Sequence, residues 1–150
     1  TDAIYLSEKE LAVIYNLNLS HDNELEEIRD VFIVGCFTGL RYSDLSSLNP
    51  EHIDLVNECI HLKQRKVHKS VIIPMIDYVP DILKKYSYEL PKYHRNRFNE
   101  RIKEVGKIAK LIQKIEVVRK KGSTRVSSVS PKYELISAHT CRRSFCTNMY

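Results

Sequence analysis

Two runs of residues at opposite ends of the chain each carry an arginine among small and polar neighbours. The first run, Thr38–Leu45, contains Arg41, and the second contains His139 and Arg142. Lys66 lies between the two runs in a basic segment. Arginine offers a planar fork to phosphate oxygens, where each charge-assisted hydrogen bond contributes roughly 1.5–3 kcal/mol, and lysine or histidine can move protons. Together these residue types suit a phosphodiester.

Each of these side chains, taken alone, also has an ordinary structural interpretation. Arg41 could form an ion pair with Asp44, which follows three residues later. Lys66 could be an exposed lysine in a turn. His139 could serve only to cap its helix, with Arg142 in solvent, although the same helix end could instead bind an anion through its backbone amides. The spacing alone leaves these alternatives open.

Further basic residues flank the candidate site. The segment 64–74 is predicted to form two strands around a basic turn that carries Arg65, His68 and Lys69. We predict that these three residues contact a DNA backbone. Arg143 follows Arg142 and lies on a different side of the same helix. We therefore predict that its side chain contacts either the DNA backbone or solvent.

The distribution of charge along the chain supports a polyanionic partner. Residues 1–60 carry 3 Lys+Arg against 12 Asp+Glu, whereas residues 61–125 carry 18 against 6. The whole chain has a net charge of +5. A basic middle segment on an acidic start favours one surface that binds a polyanion, but a solvated basic face would give the same counts.

Composition narrows the class of protein. A chain of 150 residues with 43% hydrophobic content fits one globular domain, and it has no apolar run near the roughly 18 residues that a membrane span needs. Its four cysteines form no CxxC pair, which predicts reduced thiols and a cytoplasmic location. Neither a glycine-rich phosphate loop nor a metal-ligand spacing is present, so no cofactor and no metal are predicted.

Hydrophobic periodicity and capping signals predict a mainly α-helical α+β domain with a small three-stranded antiparallel sheet. The predicted helices cover about 7–18, 22–38, 42–48, 79–88 and 96–112, with a last helix from about 139. The predicted strands cover 51–56, 58–64 and 69–74. Residues 114–136 are predicted to form a hairpin or a loop.

The ordered motifs resemble the catalytic domain of the tyrosine recombinases, the phage-integrase family. The Thr-Gly-Leu-Arg-x-Ser-Asp-Leu run, the Gln-x-Lys…Ile-Pro hairpin and the His-x-x-Arg run occur in the family's order, and they are most similar to integrases of Bacteroides-type mobile elements. The resemblance covers essentially the whole chain. It implies site-specific recombination or integration of double-stranded DNA, further recombinase protomers as partners, and neither a metal nor a membrane.

The resemblance also implies a role for each residue. Arg41 and Arg142 would hold the non-bridging oxygens of the scissile phosphate and offset charge in the transition state. Lys66 would protonate the leaving 5′-oxygen, and His139 would assist proton transfer at the nucleophile. Asp44 matches the acidic position that supports the first arginine. In the family a tyrosine attacks the phosphate and forms a 3′-phosphotyrosyl link.

The expected position of that tyrosine lies well beyond the His-x-x-Arg helix. Tyr150 follows Arg142 by only eight positions and is interpreted as a packing or surface aromatic residue. We therefore expect residues 1–150 to be a catalytic domain that is truncated before the nucleophile and lacks the N-terminal core-binding domain. Such a fragment would bind phosphate without covalent chemistry. A DNA-binding module without chemistry remains the alternative.

Overall fold

The computed structural model describes residues 4–63, 66 and 68–150, and it confirms a mainly helical α+β fold. The helices are α1 (Glu8–Tyr15), α2 (Asn23–Thr38), α3 (Tyr42–Ser47), α4 (Val79–Lys85), α5 (Arg95–Ile108) and α6 (Ala138–Met149). The strands are β1 (Ile53–Asp54), β2 (Cys59–Lys63), β3 (Ser70–Pro74), β4 (Lys114–Lys121) and β5 (Thr124–Pro131). Single 3-10 turns span Pro50–His52 and Lys132–Leu135. None of the described helices has the length and hydrophobicity that a membrane-spanning helix needs.

Helix α2 forms the centre of the core. Asp22 caps its start by accepting a hydrogen bond from the Leu25 amide at 3.2 Å, and Gly39 ends it in the left-handed conformation. Every residue from Ile28 to Thr38 is buried, because α1, α4, α5 and α6 all pack against α2. The predicted boundaries of this helix are confirmed.

The three-stranded sheet has the order β1-β2-β3 and is antiparallel throughout. Pairing of β2 with β3 continues to Lys63 and Ser70, so the connection between these strands carries Lys66. The predicted strand 51–56 was too long. Pro50 and the Asn49 side chain, which accepts from the Glu51 amide at 2.9 Å, instead stabilise a 3-10 turn before the two-residue strand β1.

Helices α1, α4 and α5 end earlier than the hydrophobic spacing predicted, and α1 stops at Tyr15 rather than near residue 18. Helix α5 stops at Ile108, because Lys110 adopts a positive φ of 61° and the Leu111 amide bonds back to the Gly106 carbonyl at 3.1 Å. Helix α4 stops at Lys85 before residues with positive φ. The segment 114–131 forms the hairpin β4–β5, in which Lys121 pairs with Thr124 beside the turn.

The acidic start and the basic middle of the chain partly neutralise each other. Arg101 lies 2.8 Å from a Glu24 oxygen, Arg97 also contacts Glu24 at 2.7 Å, and Lys85 lies 2.7 Å from the buried Asp30. Several charges that looked available for a polyanion therefore hold α4 and α5 on α2. Because Lys85, Arg97 and Arg101 are paired in this way, a polyanion would have to be bound by other basic residues.

The start of α1 is held by a capping box that reaches a distant element. The Ser7 amide donates to Glu10 Oε1 at 2.9 Å, the Glu10 amide donates to Ser7 Oγ at 3.2 Å, and Lys132 Nζ lies 2.9 Å from the same carboxylate. Burial alone would raise the pKa of Glu10, but these hydrogen bonds and Lys132 hold its pKa below the ordinary value.

We expect Glu10→Ala to lower the free energy of unfolding by about 1–2 kcal/mol at neutral pH. Because the folded pKa is depressed, this contribution is present above the unfolded pKa and is lost as the pH falls through the folded pKa. Urea unfolding at neutral pH and near pH 3 should therefore show the difference between wild type and variant shrinking in acid. A difference that persists unchanged in acid would contradict the assignment. Glu8→Ala, at an exposed position in the same turn, is the control.

Candidate active site

The two arginine-bearing runs contact each other directly. Arg142 Nε donates a hydrogen bond to the Gly39 carbonyl at 3.1 Å. A Cβ atom on Gly39 would lie only 2.5 Å from the Phe145 ring, and Gly39 itself has a positive φ of 72°. Both the turn conformation and the close approach of α6 therefore require glycine at this position. This contact fixes Arg142 relative to Arg41, two residues after Gly39.

The rest of α6 is held against α2 and the N-terminal segment. A Cβ atom on Gly35 would lie 2.8 Å from Cys141 Sγ, so the small residue lets the two helices approach closely. The buried Ser144 hydroxyl accepts from the Leu6 amide at 2.9 Å. Helix α6 is thus a rigid support for the side chains that it carries.

A pocket of about 500 Å³ opens where the two runs meet. Residues from four separate parts of the chain line it: Arg41, Tyr42, Ser43, Lys66, Arg95, Ala138, His139 and Arg142. The structure thus brings together four of the residues that the sequence singled out for chemistry. Three arginines and one lysine give the pocket a strongly positive lining, which suits an anion with several oxygens.

Arg41 lies on a backbone that two helices hold in place. It follows the α2 C-terminus and forms the N-cap of α3, whose Leu45 amide bonds to the Arg41 carbonyl at 2.9 Å. Its Nη1 atom is buried and has no hydrogen-bond partner among the residues that the structure describes. A buried donor without a partner costs about 1–3 kcal/mol, and the same side chain lines the pocket. Asp44 is fully buried in the same helix.

His139 lies in the first turn of α6 and is exposed where it lines the pocket. The helix start is fixed by the Ser137 amide, which donates to Thr140 Oγ1 at 2.9 Å. The Ala138 amide donates to Asn99 Oδ1 at 2.8 Å. Because the Ala138 amide is already bonded to Asn99, fewer free backbone amides are available to an anion at this helix end than the sequence suggested. Side chains are then the main ligands.

Among the described residues that were predicted to contact a DNA backbone, His68, Lys69 and Arg143 do not line the pocket. His68 and Lys69 are exposed in the connection after β2, further along the chain than Lys66, which is exposed and does line the pocket. Arg143 is half-buried on α6. Arg65 lies outside the described residues. The DNA-binding roles of these four residues, including Arg65, stay predictions.

Sequence reasoning missed Arg95 and Tyr42. Arg95 is the first residue of α5, immediately after the cap residue His94, whose Nδ1 accepts from the Asn96 amide at 3.2 Å. The Tyr42 hydroxyl donates to the Tyr93 carbonyl at 2.7 Å, which ties the start of α5 to α3. Burial is the main cause that raises the pKa of Tyr42. No local motif marks Arg95, because it is one of many basic residues in its stretch.

The sequence matches the model of the phage integrase family over residues 5–150. The chain belongs to the phage integrase family. No curated protein matches its sequence. The family assignment rests on nearly the full chain and agrees with the order of the two arginine-bearing runs around the hairpin.

Two solved recombinase structures share the fold of this integrase-family chain. The XerA recombinase is 21% identical, with a TM-score of 0.63 over 96% of this chain and 49% of its own. The XerH site-specific recombinase, solved in a pre-cleavage complex with its difH substrate, is 18% identical, with a TM-score of 0.61 over 97% of this chain and 42% of its own. This chain therefore spans about half the length of these proteins. The predicted tyrosine-recombinase catalytic core is confirmed as the fold.

Proposed function

We propose that residues 1–150 form the catalytic domain of a site-specific DNA recombinase that cuts and rejoins strands through a 3′-phosphotyrosyl intermediate. One observation carries the proposal: Arg41, Lys66, His139 and Arg142, from distant parts of the sequence, line a single pocket. Membership of the phage integrase family and the fold shared with two recombinases support it.

In this proposal the two arginines bind the scissile phosphate. The Arg41 guanidinium would donate to phosphate oxygens, and Arg142 would keep its Nε on the Gly39 carbonyl while its terminal nitrogens bind the same phosphate. Both guanidiniums would offset the charge that develops on the non-bridging oxygens as phosphorus becomes pentacovalent. Because both arginines rest on packed backbone, little reorganisation would be needed during the reaction.

Lys66 and His139 would move the protons. As a tyrosine oxygen attacks phosphorus, His139 would assist removal of the phenolic proton, and Lys66 would protonate the 5′-oxygen as the phosphorus–oxygen bond breaks. Rejoining runs the same steps in reverse, with the 5′-hydroxyl as the nucleophile. Lys66 sits on a turn between two strands, so it can approach the leaving oxygen without moving the core.

We further propose that the attacking tyrosine lies outside residues 1–150. All nine tyrosines fall in the described part of the chain, and among them only Tyr42 lines the pocket. Its hydroxyl is already bonded to the Tyr93 carbonyl. Tyr150 is 94% exposed, with its ring edge-on to Phe145 at 6.2 Å. Neither position suits attack on a phosphate held by Arg41 and Arg142.

Double-stranded DNA is the proposed substrate, and further recombinase protomers are the proposed partners of the whole protein. Arg95 would bind a phosphate next to the scissile one, and His68, Lys69 and Arg143 would contact the backbone nearby. The XerH recombinase, which shares this fold, was solved with its difH substrate bound before cleavage, and that likeness of fold supports the proposal. The cytoplasmic location that the cysteines predicted is part of the same proposal.

We expect the chain to bind duplex DNA weakly and with a strong dependence on salt, because phosphate contacts carry the affinity. Arg95→Ala should weaken binding severalfold and reduce the salt dependence by about one phosphate contact. Fluorescence anisotropy over a salt series measures both quantities. Arg97→Ala is the matched control, since Arg97 lies on the same helix but pairs with Glu24. An affinity that is insensitive to salt would contradict this electrostatic account.

The experiment that separates an enzyme from a simple binding module is covalent trapping. A protein that contains residues 1–150 and the proposed tyrosine should form a protein–DNA adduct with a nicked duplex of its recombination site, because the short cleaved strand diffuses away and prevents rejoining. Adduct formation supports the recombinase. Tight binding without any adduct would favour the module that only binds the backbone.

A further inference from the structure

A second cluster of reactive side chains lies on the outer face of the three-stranded sheet. Cys59 Sγ and His61 Nε2 are 3.1 Å apart, and His61 Nε2 is 3.7 Å from Asp54 Oδ2. One ligand atom from each of the three residues falls within 4.8 Å of both others. None of the three lines the pocket that contains Arg41. The cluster therefore has no part in the proposed phosphate chemistry.

The sheet itself fixes this arrangement. Asp54 and Cys59 are register partners across β1 and β2, so their side chains share a face, and His61 follows Cys59 by two residues on the same face. The other face of β2 carries Ile60 and Leu62 into the core. Because β2 is anchored by that packing, Cys59 and His61 are carried by a strand rather than by a flexible loop.

The Asp54 carboxylate is oriented by a neighbour. The Asn57 amide donates to Oδ1 at 3.0 Å, and the Asn57 side chain donates to Oδ2 at 2.8 Å. Hydrogen bonds of this kind to a ligating carboxylate are a common feature of metal sites, where they fix the ligand's orientation. His61 is half-exposed and Asp54 is about one-third exposed, so an ion could enter from solvent.

Two of the three distances between ligand atoms are close to those around a tetrahedral ion. With metal–sulfur bonds near 2.3 Å and metal–nitrogen or metal–oxygen bonds near 2.0–2.2 Å, tetrahedral angles place neighbouring ligand atoms about 3.4–3.6 Å apart. The observed 3.1 and 3.7 Å need shifts of only a few tenths of an ångström. A thiolate with an imidazole selects zinc-like ions over Mg²⁺ or Ca²⁺, which prefer oxygen ligands.

We propose that Asp54, Cys59 and His61 form a binding site for a Zn²⁺-class divalent ion, with water in the fourth position. Binding releases the thiol proton and joins β1 to β2 through the ion. The sequence alone predicted no metal, because the spacing of these ligands along the chain is unlike the usual ones. Only the pairing of two strands brings Asp54 opposite Cys59.

Co²⁺ is a suitable spectroscopic probe, because a thiolate ligand gives a charge-transfer band and tetrahedral geometry gives intense visible absorption. We expect the reduced protein to bind one equivalent of Co²⁺ with both features, and Zn²⁺ to displace it. Cys59→Ser should abolish the charge-transfer band, and His61→Asn should weaken Co²⁺ binding at least about tenfold. Asn57→Ala should weaken binding about tenfold while keeping the band.

Cys146→Ser is the matched control, because Cys146 is the exposed free cysteine among the described residues. It should leave the Co²⁺ spectrum unchanged. His61→Asn, at a half-exposed position, keeps the test valid should Cys59→Ser disturb the fold. Any one of three results would overturn the proposal. These are weak visible absorption of the octahedral type, the absence of a charge-transfer band, and a charge-transfer band that survives in Cys59→Ser. Because the readout is spectroscopic, its failure would leave the proposed recombinase activity untouched.

Discussion

Arg41→Ala should abolish covalent trapping of DNA by a protein that contains this domain and the attacking tyrosine. Removing one preorganised donor from a developing oxyanion typically costs about 10²–10³ in rate, and Arg41 would supply a guanidinium whose buried Nη1 has no partner among the described residues. Arg41→Lys should recover only part of the loss, because an ammonium cannot reproduce the planar fork. Single-turnover adduct formation on a nicked duplex measures the effect.

Arg143→Ala provides the control for this experiment. Arg143 is adjacent to Arg142 on α6 but does not line the pocket, so its loss should weaken DNA binding without slowing cleavage of bound DNA. Performing the reaction at saturating protein separates the two effects. An adduct yield for Arg41→Ala equal to that of wild type would rule out the role given to Arg41.

Gly39→Ala should destabilise the fold and disturb the pocket together. A non-glycine residue at φ 72° costs roughly 1–2 kcal/mol, and a Cβ atom 2.5 Å from the Phe145 ring adds about 1–3 kcal/mol of overpacking. The total expected loss in the free energy of unfolding is about 2–5 kcal/mol. Since the Gly39 carbonyl holds Arg142, phosphate binding should fall as well. Urea unfolding measures the first effect and DNA anisotropy the second.

Gly122→Ala isolates the conformational part of that cost. Gly122 also has a positive φ, at 62°, but a Cβ atom there would meet nothing within 4 Å. It lies in the turn between β4 and β5. We expect a loss of about 1–2 kcal/mol and unchanged DNA affinity. If Gly39→Ala cost no more than Gly122→Ala, the close contact with Phe145 would not matter to the fold.

Much of the fold was predictable because local chemistry marks its boundaries. Ser7 and Asp22 both cap helices at the predicted starts near residues 7 and 22, and Gly39 ends α2 in the left-handed conformation. The second half of α2 is apolar in sequence, and it is buried because α1, α4, α5 and α6 pack against it. Lys66, His139 and Arg142 could be named as candidates beside Arg41 because two motifs and a hairpin resembled a known family.

The features that were missed depend on contacts between distant segments. Arg95 reaches the pocket because Tyr42 binds the Tyr93 carbonyl, and no local pattern encodes that bond. For the same reason, the charge counts did not reveal that basic residues of α5 pair with acidic residues of α2. Asp54 joins Cys59 only through strand register. Sequence patterns predicted elements well, whereas juxtapositions across elements required the structure.

The most direct test of the central claim is a titration with inorganic phosphate, observed through the arginine Nε–Hε signals in NMR. If Arg41 and Arg142 bind one phosphate, both signals should shift along the same saturation curve and give the same Kd. Arg97 and Arg143 should show little change. Different Kd values for Arg41 and Arg142, or a shift at only one of them, would contradict a shared phosphate site.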